Sequence, residues 1–343
     1  MNELTRRECL LALGAAAVAA PKAYAAADEV RPTGLGGALM ILHTPFTSDG
    51  AVDWDDLARE ATFVESCGGH GIVWPQGSSN VATLTEEERL RGMEVLARAV
   101  RGRRVKLVLG VQGRNTAEML AYVRAAEALG PDALIAMPPT SAAGMDDYRA
   151  YFRALGQATN RPVVIQTSGG APKLIPSTEL IVDLAREFPH LGHVKEESEP
   201  LYERLAEEVR QRPPIKAVFS ANLGVNWLYA MRIGVDGVIT GNAMYADVMA
   251  KIWELHQRRD EARLRDAFGR FLLMRNISDE IPAAELYIMK KRGIFKTMAT
   301  RSRESRTGTH AKVIERRLTP REVDEIEYRF AALTPYLTSA GAP

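Results

Sequence analysis

A lysine two residues before a glutamate, at the end of an apolar run, carries the most chemistry in this sequence. In His193-Val194-Lys195-Glu196-Glu197 alternate side chains fall on one side if the run is a strand. Lys195 and Glu197 then share a face, with His193 lower on it. A lysine inside a closed sheet loses the water around its ammonium, which lowers its pKa. The neutral amine can attack a ketone and form a Schiff base, an electron sink for carbanion chemistry. Glu197 could serve as a base beside such an imine, or pair with Lys195 and hold it as an unreactive ammonium. A structural salt bridge from Lys195 to Glu196 or Glu197 is the plain alternative. His43, at the end of another apolar run, has an intrinsic pKa suited to proton transfer. Lys195, Glu197 and His43 are therefore the candidate catalytic residues.

A second group of residues could hold a substrate. Gln76-Gly77-Ser78-Ser79-Asn80 follows the run Gly71–Trp74. Small residues there let backbone N–H groups converge on a carboxylate. The hydroxyls of Ser78 and Ser79 add donors and acceptors. A plain Gly/Ser turn fits the same residues. Gln166 and Thr44 lie near the ends of two further runs and complete the candidate binding set of Gly77, Ser78, Ser79, Gln166 and Thr44.

These residues need a scaffold that brings run ends together. Eight short apolar runs recur between Gly37 and Ala250: Ala38–His43, Gly71–Trp74, Val105–Val111, Ala133–Met137, Val163–Thr167, His193–Lys195, Ala217–Ser220 and Gly237–Thr240. Nearly continuous apolar runs of this length suit strands buried on both faces. Amphipathic stretches with helix-start signals lie between them: Asp53 before Leu57, Thr85 before Glu86-Glu87-Glu88, Ser177 before Leu180. Eight βα units in series predict a (β/α)₈ TIM barrel over 37–250, with its active site at the carboxyl ends of the strands. An open doubly wound sheet competes, weakened because no G-x-G-x-x-G follows the first strand.

Residues 251–343 read as C-terminal helices. Ile252–Leu273 and Pro282–Lys291 have helical character, and Thr319-Pro320-Arg321-Glu322 is a capping box opening a last helix to about Leu333. The basic stretch Lys290–Arg317 reads as a solvated loop, with an anion or partner site as the other option.

Composition is ordinary for a globular chain: 343 residues, 46% hydrophobic, 25% charged, formal net charge +1. Nothing in that balance points to nucleic acid or an anionic membrane. Residues 1–25 read as a twin-arginine signal peptide: Arg6-Arg7, a short apolar run from Leu10 to Ala20, then Ala23-Tyr24-Ala25. A Sec signal or a disordered arm is the alternative. Cleavage after Ala25 removes three basic and two acidic residues and leaves no net charge. It also removes Cys9, so Cys67 has no internal partner for a disulfide. The mature protein is expected in the periplasm, off the membrane. Cys67 reads as a packed thiol, and no His or Cys spacing suggests a metal site.

Several of these segments together resemble the dihydrodipicolinate synthase / N-acetylneuraminate lyase family of class I aldolases. The match runs from about Gly37 to Val248. It is carried by Thr44-Pro45-Phe46-Thr47 with Asp49-Gly50 and Val52-Asp53, by Thr83-Leu84-Thr85 with Glu87-Glu88-Arg89, and by Pro138-Pro139, Pro162-Val163-Val164-Ile165 and Val194-Lys195-Glu196. The resemblance implies a (β/α)₈ barrel with C-terminal helices, usually a homotetramer. It implies cleavage, condensation or dehydration of a 2-oxo acid through an imine on Lys195, with no metal or dissociable cofactor required.

The departures mark a divergent member. The family's Gly-Thr-Thr-Gly-Glu loop is Gln76–Asn80 here. The proton-shuttling tyrosine of strand five is Gln166, and a carboxamide cannot take and return a proton at accessible pH. Thr140 and Ser141 stand where tyrosines follow the paired prolines, and no arginine lies near Ala171 to bind a second carboxylate. Glu197 occupies a position where the family has a small residue. These changes argue against the lysine-biosynthetic reaction. They leave a carbon–carbon or carbon–oxygen lyase acting on a pyruvate-like 2-oxo acid as the leading expectation. A catalytically silent barrel that binds a small acid or a protein partner is the alternative, and a hydrolase or isomerase using Glu197 and His43 without an imine is a third.

Overall fold

The computed structural model describes residues 34–302 and 312–338, so the proposed leader lies outside the described residues. The eight apolar runs form eight parallel strands: β1 (Gly37–Ile41), β2 (Gly71–Trp74), β3 (Lys106–Gly110), β4 (Ala133–Ala136), β5 (Val163–Gln166), β6 (His193–Glu196), β7 (Ala217–Ser220) and β8 (Gly237–Thr240). Each pairs with the next, and β8 pairs with β1 through Gly37↔Gly237 and Leu39↔Ile239, which closes the barrel. Closure leaves no strand edge open. Leu39, Ile41, Val73, Val108, Ile135, Val164, Phe219 and Ile239 fill the interior. Their outward neighbours, such as Met40, Ile72, Leu134 and Val194, join the larger core between strands and helices. Strands apolar on both faces follow from this double burial.

Seven helices alternate with the strands: α1 (Trp54–Ser66), α2 (Glu86–Ala99), α3 (Thr116–Leu129), α4 (Met145–Ala158), α5 (Thr178–Glu187), α6 (Leu201–Arg210) and α7 (Trp227–Ile233). Their starts are set by side-chain caps. Asp53 accepts from the Asp56 amide, Ser177 from Leu180, and Thr85 and Glu88 form a reciprocal capping box. Each such cap stabilises its helix by about 1 kcal/mol. An eighth helix, α8 (Ala246–Gln257), follows β8 and carries across residue 250, so the step from barrel to extension falls within a helix.

The extension differs from the sequence expectation in two ways. Ile252–Leu273 is not one helix. The chain breaks at Arg259, which has a positive φ of 55°, and Asp260 caps a new helix, α9 (Glu261–Glu280). α10 (Ala284–Lys291) and α11 (Pro320–Ala331) lie as the patterning predicts, with the Thr319/Glu322 box formed. Within the basic stretch, however, β9 (Ala299–Arg301) and β10 (Val313–Glu315) pair antiparallel. Phe46, in the loop after β1, bridges to Ala299. That stretch is therefore not wholly a solvated loop: Arg301 is buried.

Candidate active site

β6 places Lys195 at the carboxyl end of the barrel, facing inward. It lies in register with Gln166 on β5 and Phe219 on β7, and Phe219 belongs to the interior cluster. The Lys195 residue is only 3% exposed. Glu196, on the outer face, accepts from Arg204 and Thr167 and takes no part. Glu197 turns back to the interior, and the Lys195 ammonium donates to its Oε1 at 2.9 Å and to Gln166 Oε1 at 3.1 Å. The other Glu197 oxygen accepts from Gln166 Nε2 at 3.0 Å and from the Ser168 hydroxyl. Lys195 thus meets one carboxylate oxygen, while neutral donors hold the second.

The charge state of this group follows from its contacts. Burial works to raise the Glu197 pKa. The adjacent Lys195 charge, with hydrogen bonds from Ser168 and Lys195, outweighs it and holds the carboxyl below its ordinary range. The resting arrangement is therefore an ion pair. A 2.9 Å hydrogen bond also gives the ammonium proton a direct acceptor. His193 sits deeper on the same face. Burial pushes its pKa down to about 4, so the imidazole is neutral.

The ion pair is not sealed in. A cavity of about 490 Å³ opens beside it, lined by Lys195, Glu197, Gln166, Gly77, Ser78 and further residues of the strand ends. Among the latter are Ser168, Asn222 and Thr240, which sequence reasoning did not place in the site. Ser168 had a signal, since it lies two residues beyond Gln166 and so on the same side. Asn222 had only its location after β7, and Thr240 its place as the last residue of β8.

Three candidates do not reach the cavity. His43 is held between Glu60 and Glu285: its Nδ1 lies 3.2 Å from Glu60 Oε1 and its Nε2 3.7 Å from Glu285 Oε2. Burial opposes its charge, yet hydrogen bonds and charge from Glu285 and Glu60 push its pKa up to about 10. An imidazolium locked this way is not a poised base at neutral pH, and it is not beside Glu197. Ser79 donates to the Leu42 carbonyl at 2.6 Å and accepts from the Gln76 amide, so its hydroxyl is spent on the loop. Thr44 donates to the Ser79 carbonyl and accepts from Trp74 Nε1 at 3.1 Å. These two residues shape the loop that presents Gly77 and Ser78; they do not line the cavity.

The same loop is gripped from outside. Asn80, at a φ of 59°, donates through Nδ2 to the Arg301 carbonyl at 3.2 Å. The Arg301 guanidinium donates to Glu88, to the Thr83 carbonyl at 3.1 Å and to the Gly50 carbonyl at 2.9 Å. Its carbon stacks 4.6 Å from the Phe46 ring centroid. One residue of β9 thereby ties together the loops after β1 and β2.

No cluster of three or more His, Cys, Asp or Glu side chains is arranged to hold a metal ion among the described residues. Cys67 is a buried free thiol, its pKa pushed up to about 11 chiefly by burial.

A closed barrel of eight parallel strands, with a lysine inside its carboxyl end and a cavity of mixed polar and apolar lining beside it, defines the class as a lysine-centred (β/α)₈ barrel. The Dihydrodipicolinate synthetase family model matches residues 34–268. The chain belongs to that family. It is similar to the 4-hydroxy-tetrahydrodipicolinate synthase of Chlorobium chlorochromatii, 26% identical over 76% of this chain and 88% of that one. It is similar to the corresponding enzyme of Neisseria gonorrhoeae, 32% identical over 60% of this chain and 70% of that one. The fold is shared with the dihydrodipicolinate synthase of Rhodopseudomonas palustris, at a TM-score of 0.74 and 19% identity over 88% of this chain and 98% of the other. It is also shared with that of Acinetobacter baumannii, solved in complex with pyruvate, at a TM-score of 0.73 and 19% identity over 87% and 99% of the two chains.

Proposed function

We propose that the protein is a lyase or aldolase that acts on a pyruvate-like 2-oxo acid through an imine on Lys195. The observation that carries this reading is the inward Nζ of Lys195 standing beside an open cavity and 2.9 Å from a carboxylate. Family membership supports it, as does the pyruvate complex of a relative with the same fold. In this account Glu197 takes the ammonium proton and frees the amine. The amine adds to the keto carbon, Glu197 returns the proton to the carbinolamine hydroxyl so that it leaves as water, and the iminium draws electrons from the neighbouring carbon. Ser78 and the backbone around Gly77 hold the substrate carboxylate. Gln166 orients the imine by its hydrogen bond, and Glu197 does the proton transfer that a carboxamide cannot. The bond broken is carbon–carbon or carbon–oxygen.

The test is exchange of the methyl protons of pyruvate in D₂O, followed by proton NMR. The account expects exchange that needs the enzyme and disappears in Lys195→Arg. Exchange that survives in that variant contradicts it. The alternative is a barrel that binds a small acid without turning it over. That reading predicts saturable pyruvate binding with no exchange.

Residues 1–25 are proposed as a twin-arginine leader that sends the folded protein to the periplasm, and the mature chain is proposed to form a homo-oligomer. The exposed side chains of Leu223, Val225 and Tyr229, which follow one another in the segment after β7, support the second point.

A further inference from the structure

We infer that the site selects 2-oxo acids whose far end carries no negative charge, and that Glu197 enforces the selection. The inference rests on the imine reading above and names its substrate class. Among the described residues lining the cavity, Lys195 is the cation and Glu197 the anion, and they face each other at 2.9 Å. No guanidinium of the described residues lines it.

Charge bookkeeping through the reaction decides what fits. Condensation of the ammonium with a ketone releases water and leaves an iminium, so nitrogen carries one positive charge before and after. Glu197 balances that charge throughout. The substrate's own carboxylate is then held by neutral donors at Ser78 and Gly77, and it brings the pocket to one net negative charge. A second carboxylate would meet no cation and would face Glu197, a like-charge contact in a partly desolvated site. The rest of the lining is neutral. Ser168, Asn222 and Thr240 offer hydroxyl and amide groups, and Met137, Leu223 and Ile239 offer apolar surface. Such walls suit an uncharged tail, hydroxylated or apolar.

The experiment is borohydride trapping on the full-length protein at graded concentrations of size-matched acids. 2-Oxopentanoate is compared with 2-oxoglutarate, and 2-oxohexanoate with 2-oxoadipate, with adducts read by intact mass. The inference expects half-saturation about tenfold or more higher for each dicarboxylate. In Glu197→Gln the ratio is expected to shrink to about threefold or less. A purely structural role for Glu197 would weaken both members of a pair alike. Equal half-saturation in the wild type overturns the inference, as does a ratio unchanged in Glu197→Gln. If that variant does not fold, the wild-type ratio decides by itself. No adduct with any of the four acids overturns the imine reading and the selection with it, an outcome distinct from adducts formed without discrimination.

Discussion

Lys195 and Glu197 were legible because strand alternation is a strict rule and both residues break an apolar pattern. Their pairing was left open in the sequence and is now fixed: Lys195 takes Glu197, while Glu196 takes Arg204. Ser79 and Thr44 are candidates for substrate contact and His43 for proton transfer because hydroxyls and imidazoles near strand ends suit those tasks. Whether such a group faces a cavity depends on which distant partner reaches it first. The partner of His43 that decides the matter, Glu285, comes from α10. Two predictions belong at this scale. Glu197→Gln should slow methyl exchange of pyruvate by about 10²–10⁴-fold, the usual contribution of a positioned acid–base group, while a borohydride adduct still forms. Equal exchange rates would transfer the proton-moving role elsewhere. Gly241→Ala would place a Cβ 2.5 Å from Ser78 Oγ. The added carbon would also lie 2.6 Å from Ser78 Cβ, so the loop itself must give, and the substitution should raise the concentration of pyruvate needed for half-maximal trapping while the barrel still unfolds in one cooperative transition.

At the scale of elements, the eight strands stood out because each is apolar on both faces, and the helix starts because their caps are single residues with a fixed offset. The β9–β10 hairpin did not, because three-residue strands in a basic stretch carry no periodicity. The break at Arg259 was hidden by apolar residues that continue on both sides of it. The hairpin nevertheless has consequences for the site, since Arg301 and Asn80 hold the loop that carries Gly77 and Ser78. Arg301→Ala removes a buried ion pair whose acidic partner, Glu88, keeps some solvent. The expected loss is on the order of 2 kcal/mol in chemical denaturation, below the range for fully buried pairs. Hydrogen exchange of the amides from Gly77 to Asn80 should rise more than that of the β5 and β6 strands. A uniform rise across the barrel would show that Arg301 stabilises the whole and not this loop.

For the whole molecule, one buried cluster predicts how stability depends on pH. His43 is raised from 6.5 to about 10 by Glu285 and Glu60 against the cost of burial, and Arg275 pairs with Glu285 at 3.4 Å. A folded-state pKa above the unfolded one means that the charged histidine stabilises the fold. That contribution is complete below about pH 6.5, declines as pH rises, and is gone above about pH 10. The urea midpoint should fall over this window in the wild type and change less in His43→Gln. A wild-type midpoint that rises from pH 7 to 9 would contradict the cluster as described.

The proposed chemistry requires above all that the Lys195 nitrogen become a free amine beside a keto acid. The direct measurement is reduction with borohydride in the presence of pyruvate, followed by proteolysis and peptide mass mapping. The expected result is a carboxyethyl group on Lys195 and on no other lysine. An unmodified Lys195 peptide at saturating pyruvate, with pyruvate binding confirmed by calorimetry, would contradict the account and leave a barrel that binds without reacting.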